Sequence, residues 1–182
     1  DKKILSTIKT TLFKYDKYKY HIGYTGYLDD DDLRGMATLI DIAEFANDIC
    51  IHVVGGSLKM KKLWQTRADK KGLSNIHFYG YVSPVKIPYY LDCFDVVLAP
   101  LKYRPIDRAP TGQNMSPLKL AQYMAYSKAI VASDIPSHYD FLKNGKNAIL
   151  VKYDAADKWV EAIYSILKNK KLKAKLEKNA LD

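Results

Sequence analysis

The chain has 182 residues, 48% of them hydrophobic and 27% charged, with a formal net charge of +9. That length supports one domain with a full core, and no apolar run approaches the roughly 18 residues of a membrane span. The basic balance calls for an anionic partner, but no nucleic-acid motif accompanies it, so a phosphorylated ligand or an anionic membrane surface is expected and nucleic acid is not.

Residues 4–14 place Ile4, Leu5, Ile8, Leu12 and Phe13 on one side of a helix. The start, DKKILSTIKTTLF, is too broken by lysine and threonine to be a signal peptide. Because it lacks an initial Met, the chain reads as a fragment of a longer protein. A strand follows at 20–27, then a helix at 33–46 with Asp32 as its N-cap. Strand 49–54, helix 58–71, strand 76–79, helix 84–92 and strand 95–99 come next. A polar loop over 101–115 leads to a helix entered through Ser116-Pro117. After it come strand 129–133, a short helix near 136–142, a turn at Asn144-Gly145-Lys146-Asn147, strand 148–152, a helix at 155–169 and a last helix behind it. The apolar strands read as buried on both faces, which implies a parallel sheet with helices on both sides. The expectation is a Rossmann-like α/β fold, one domain over residues 1–182. Cys50 and Cys93 lack zinc spacing and are too few for a disulfide framework; they read as buried thiols of a reducing compartment.

The stretch SPLKLAQYMAYSKAIVASD, residues 116–134, carries the most chemistry. Ser116 suits an N-cap and Pro117 the first helical position, where a missing N–H costs nothing. The amides of Leu118 and Lys119 then stand at the positive end of the helix dipole. A lysine in a first turn fits if an anion, most often phosphate, sits at the helix start; otherwise Lys119 is merely solvated. In parallel sheets ligands sit beyond the carboxyl ends of the strands. Here three strands end in glycine, at Gly26, Gly55-Gly56 and Gly80, and a fourth runs into Pro100. Glycine lets a ligand approach the backbone. No G-x-G-x-x-G follows the first strand and there is no P-loop.

Other candidates are weaker. Asp29–Asp32 reads as a solvated loop and helix cap rather than a divalent-ion site. His52 and His77 fall in strands and read as packed, while His138 follows the fifth strand on the ligand rim and is a candidate sugar contact. Arg104 and Arg108 in the long loop could close over phosphate. No Ser-His-Asp or Cys-His set can be picked out.

In order along the chain stand Tyr24-Thr25-Gly26 with Arg34-Gly35, then 52–56 (HVVGG), 75–82 (NIHFYGYV) and 94–100 (FDVVLAP), and finally 116–125, 128–134 and 144–151. This ordered set resembles the C-terminal, donor-binding domain of the group 1 retaining glycosyltransferases, whose GT-B fold faces two Rossmann-like domains across a cleft. The resemblance spans about residues 20–170. It implies a nucleotide-diphosphate-sugar donor as co-substrate, no other cofactor and no metal. It also implies an N-terminal acceptor domain ahead of residue 1. The family's Glu-x7-Glu motif falls here on Asn114 and Gln122, the first facing the donor sugar, the second the ribose hydroxyls. Arg34 takes the place of the family's phosphate-side lysine, and Tyr27 that of its arginine. Gly80 and Tyr81 would lie near the base. The resemblance thus assigns catalytic roles to Arg34, Lys119, Asn114 and Gln122. It assigns donor contacts to Gly26, Tyr27, Gly55, Gly80, Tyr81, Ser116, Pro117, Leu118, Lys119 and Gln122.

Asn114 and Gln122 keep hydrogen-bonding atoms but lend no negative charge. Two function classes therefore follow from the sequence. The first is a glycosyltransferase domain in the cytoplasm, at the inner face of a membrane, serving a glycan or lipid-linked acceptor and transferring little on its own. The second is a non-catalytic sugar-nucleotide-binding partner of an active transferase. A two-domain epimerase of the same architecture lacks identifiable acid and base residues.

Overall fold

The computed structural model describes residues 1–12, 17–102 and 118–181. In chain order the elements are α1 (Lys2–Leu12), β1 (Tyr20–Thr25), α2 (Met36–Phe45), β2 (Ile49–Val54), α3 (Leu58–Lys70), β3 (Ile76–Gly80), α4 (Ile87–Asp92), β4 (Val96–Ala99), α5 (Leu118–Ala125), β5 (Ile130–Ser133), β6 (Ile149–Val151), α6 (Ala156–Lys168) and α7 (Lys170–Asn179). The six strands form one sheet in the order β3-β2-β1-β4-β5-β6, and every neighbouring pair is parallel. This is the doubly wound arrangement, with its topological switch between β1 and β4. The Rossmann-like expectation holds.

The strands lie buried on both faces because helices cover both. On one side α2, α3 and α6 bury Leu39, Trp64, Trp159 and Ile163 against Ile22, Ile51 and Val131. On the other, α1, α4 and α5 bury Leu12, Leu91 and Tyr123 against Val54, Val97 and Ile130. Strand β2, ICIHVV, is buried at every position, which is why it reads as a nearly unbroken apolar run. Among the described residues no helix is long and apolar enough to cross a membrane.

Local departures have tertiary causes. Helix α2 begins at Met36, three residues later than expected, because Gly35 sits at φ 70 against the carbonyl of Pro100, where a Cβ would meet that oxygen at 1.7 Å. Asp32 is displaced from the N-cap position and itself adopts φ 62. Its carboxylate still accepts the Ala37 N–H at 2.8 Å and pairs with Lys102. The helix expected over 84–92 splits into a 3-10 turn at Pro84–Lys86 and α4. The helix near 136–142 reduces to a 3-10 turn at Pro136–His138. The strand expected over 20–27 stops at Thr25, since Gly26 turns out of the sheet at φ 146.

Candidate functional site

Strands β1, β2 and β3 end on one rim, and glycines set how closely those ends approach. The Gly55 N–H donates to the Gly80 carbonyl at 2.8 Å, and the Gly26 N–H to the Val54 carbonyl at 2.9 Å. A Cβ on Gly55, at φ 122, would lie 2.0 Å from the Gly26 carbonyl oxygen. Only glycine fits this floor.

Helix α5 is pinned over the switch point by Tyr123. The Thr25 N–H donates to Tyr123 Oη at 2.8 Å, and that hydroxyl lies 3.4 Å from the carbonyls of Thr25 and Leu98. One turn earlier on the same helix face is Lys119. Between the strand ends and α5 opens a cleft of about 910 Å³. Of the residues assigned by resemblance, Gly26, Tyr27, Gly55, Tyr81, Leu118, Lys119 and Gln122 all line it. Gly80 lies beneath, holding the floor through its carbonyl. Asn114, Ser116 and Pro117, with Arg104 and Arg108 of the long loop, lie outside the described residues.

Lys119 is not a solvated lysine. The residue is half-buried, but its ammonium end turns inward and sits 3.8 Å from the centre of the buried Tyr24 ring. Gly26 leaves the space: a Cβ there would come within 3.0 Å of Lys119 Cε and 3.4 Å of Nζ. Among the described residues Lys119 makes no hydrogen bond and no ion pair; the aromatic face is its partner. Burial, reinforced by the charge of Arg34 and opposed by that of Asp29, pushes its pKa down to about 7.

Arg34 stands beside the cleft rather than in its lining. Its Nε lies 3.6 Å from the Asp29 carboxylate, and its guanidinium sits 5.6 Å from the centre of the Tyr27 ring. The Arg34 N–H also donates to Asp29, and Trp64 Nε1 donates to the Asp29 carbonyl at 2.8 Å, so the acidic loop is held to α3. Burial raises the Asp29 pKa against the pull of Arg34. The reading of 29–32 as a solvated loop and helix cap is therefore corrected in part: Asp30 and Asp31 are exposed, while Asp29 and Asp32 pair with Arg34 and Lys102.

His138 is buried rather than lining the cleft. Its Nδ1 donates to the Ser133 carbonyl at 2.8 Å, and burial, together with the charge of Lys119, pushes its pKa down to about 4. It stays neutral near pH 7 and offers no charge to a ligand. A second histidine group lies under the cleft, between the sheet and α4. His21 Nδ1 is 2.9 Å from His52 Nε2, and His52 Nδ1 is 2.9 Å from Tyr79 Oη. Phe94 stacks on His52 and is admitted by Gly23, where a Cβ would meet the ring at 1.9 Å. Cys50 completes a cluster with His21 and His52. The His52 nitrogens already have these partners, so the group reads as an internal hydrogen-bonded chain.

Sequence reasoning missed Tyr24, the platform beneath Lys119, and Ser57, which caps α3 at the cleft by accepting the Met60 N–H at 3.3 Å. Ser57 carried a usable signal, a serine immediately before a helical pattern. Tyr24 carried none, since its role depends on a residue far along the chain.

With this geometry in place, comparison gives the family. The model for "Glycosyl transferases group 1" matches residues 19–169, and the chain belongs to that family. It shares 31% identity over 65 residues with TuaH of Bacillus subtilis (strain 168), a protein named for teichuronic acid biosynthesis as a glycosyltransferase; that match covers 36% of this chain and 15% of TuaH. The fold matches Anabaena Alr3699/HepE, solved with UDP and glucose, at a TM-score of 0.76 and 16% identity over 99% of this chain and 46% of that one. It also matches the C-terminal domain of the group 1 family protein LpcC from Francisella tularensis at a TM-score of 0.69 and 19% identity, covering 94% of this chain and 88% of that domain. The chain thus spans less than half of TuaH and HepE but nearly all of an isolated C-terminal domain, and its fold is that of a GT-B Rossmann-like half.

Proposed function

We propose that this chain is the donor-binding domain of a glycosyltransferase, holding a nucleotide-diphosphate sugar in the cleft for retaining transfer to a glycan or lipid-linked acceptor. The carrying observation is Lys119: among the described residues it is an inward-turned amine that meets no carboxylate or carbonyl, in a cleft lined there by no acidic side chain. A buried charge without a partner is costly unless a ligand supplies one. A diphosphate does so at the end of the sheet where such folds bind ligands. HepE was solved with UDP and glucose, which supports the same ligand class here.

In this reading Lys119 and Arg34 offset charge on the departing diphosphate, and preorganised cations in a desolvated site are the main device. Tyr81 and Tyr126 line the cleft and offer faces to a base. Gln122 bonds ribose hydroxyls as a neutral amide. The reading calls for no metal and no further cofactor. An acceptor domain of the same protein would complete the cleft, in the cytoplasm at a membrane face, with a glycan as the product class; the relative TuaH is named for teichuronic acid biosynthesis.

The test is titration calorimetry with UDP- and GDP-sugars on the wild type, Lys119→Met and Arg34→Ala. A charge-assisted contact is worth roughly 1.5–3 kcal/mol, so each variant should bind about tenfold or more weakly. Equal affinity in all three contradicts the assignment. The second reading, a non-catalytic sugar-nucleotide-binding partner, is favoured by Gln122, an amide in the cleft where the family carries an acid. Transfer or donor hydrolysis by the full-length protein supports the enzyme. Absence of both, unrestored by Gln122→Glu with Asn114→Glu, supports the partner.

A further inference from the structure

The environment of Lys119 is built for an amine whose proton is exchangeable, not for a permanent cation. Its nitrogen rests on the ring of Tyr24 from β1, 3.8 Å from the ring centre, at the wall of the cleft. An aromatic face attracts a cation, but far more weakly than the full hydration of an ammonium in water. The Tyr24 hydroxyl donates to the Tyr27 carbonyl at 2.8 Å, which anchors the ring beneath the lysine.

The charged and titratable groups around the nitrogen come from several elements. Arg34, before α2, adds a like charge; Asp29, in the loop after β1, is spent on Arg34 at 3.6 Å; His138, after β5, is turned onto the Ser133 carbonyl; Tyr123, on α5, is turned onto β1. None of them completes an ion pair with Lys119.

We propose that Lys119 couples ligand binding to proton uptake: a nucleotide-diphosphate sugar enters the cleft together with a proton that Lys119 takes from solvent, so the donor is held more tightly as pH falls from the alkaline side toward neutrality. The step balances simply. The neutral amine gains one proton, no covalent bond to the ligand forms, and the new ammonium meets the diphosphate. Burial has brought the free amine to a pKa of about 7, and an adjacent diphosphate returns it toward the ordinary lysine range. Between those two values the free form is largely unprotonated and the bound form protonated, so linkage requires uptake. His138, at about 4, stays neutral. Lys119 is therefore the group facing the ligand that titrates in this window.

This proposal rests on the donor-binding reading, and its test separates the two. UDP-glucose and GDP-mannose, whose diphosphates carry no proton titrating near neutrality, are titrated near pH 8 in buffers of different ionisation enthalpy. The expected result is uptake of about one proton per bound ligand in the wild type and none in Lys119→Arg, which keeps a permanent charge. Binding without uptake in the wild type overturns the coupling and leaves donor binding standing. No binding of any UDP- or GDP-sugar overturns both. A ligand-free arm uses protein labelled with ¹³C at lysine Cε. One resonance should titrate near neutral pH and vanish in Lys119→Arg, and titration of every lysine only in the ordinary range overturns the coupling.

Discussion

Two polar groups, one at the mouth of the sheet and one beneath it, are treated in opposite ways. Beneath the cleft, His52 spends one ring nitrogen on His21 and the other on Tyr79, and Phe94 closes over the ring. At the mouth, Lys119 is turned inward onto an aromatic face, with no acceptor among the described residues. The first arrangement supports the fold, because buried polar groups that are hydrogen-bonded cost little. The second works against the fold unless something else arrives. The contrast teaches which buried polar group to read as a site: the one whose satisfaction lies outside the chain.

The largest effect should come from the glycine floor that separates the two regions. Gly55→Ala forces a Cβ to within 2.0 Å of a backbone carbonyl at a φ of 122. We expect a loss of roughly 3–5 kcal/mol or failure to fold, read from urea midpoints. An unchanged midpoint would break the account of how the strand ends are held. Next is His52→Ala, which takes a partner from His21 and Tyr79 and opens a cavity. It should cost about 3 kcal/mol while leaving sugar-nucleotide affinity of the folded fraction near wild type.

Lys119→Met should show the opposite pair of effects. Affinity falls about tenfold or more, while the melting temperature rises, because an unpaired buried charge has been replaced by an apolar chain of similar length. A lower melting temperature with unchanged affinity would move Lys119 into the same structural category as His52. A further effect is on pH dependence. His52 and His138 have folded pKa values lowered to about 3 and about 4 from an ordinary 6.5. Each binds fewer protons folded than unfolded, so their contribution is fully present above 6.5 and is lost as pH falls from there toward the folded values. Urea midpoints measured between those limits should fall with pH, and less steeply in His52→Leu.

Much of the fold was legible because it depends on local patterning. The all-buried strand Ile49–Val54 declares a central parallel strand, and glycines at the ends of β1 and β3 mark the rim where the cleft opens. The start of α2 was not legible, since it is set by contact between Gly35 and Pro100. For the site, the sequence indicated Lys119 on a helix leading from a Ser-Pro step. It could not show that the ammonium folds back over Tyr24, ninety-five positions earlier, or that Asp29 is committed to Arg34. His138 was misplaced for the same reason: adjacency to the rim says nothing of a ring turned inward to the Ser133 carbonyl.

The most direct measurement is a crystal structure of this chain with a nucleotide-diphosphate sugar bound. The account predicts a phosphate oxygen within about 2.7–3.2 Å of Lys119 Nζ, in the cleft bounded by Gly26, Gly55 and Gln122. Ligand density elsewhere, with the Lys119 ammonium still resting on Tyr24 and touching no phosphate, would contradict it.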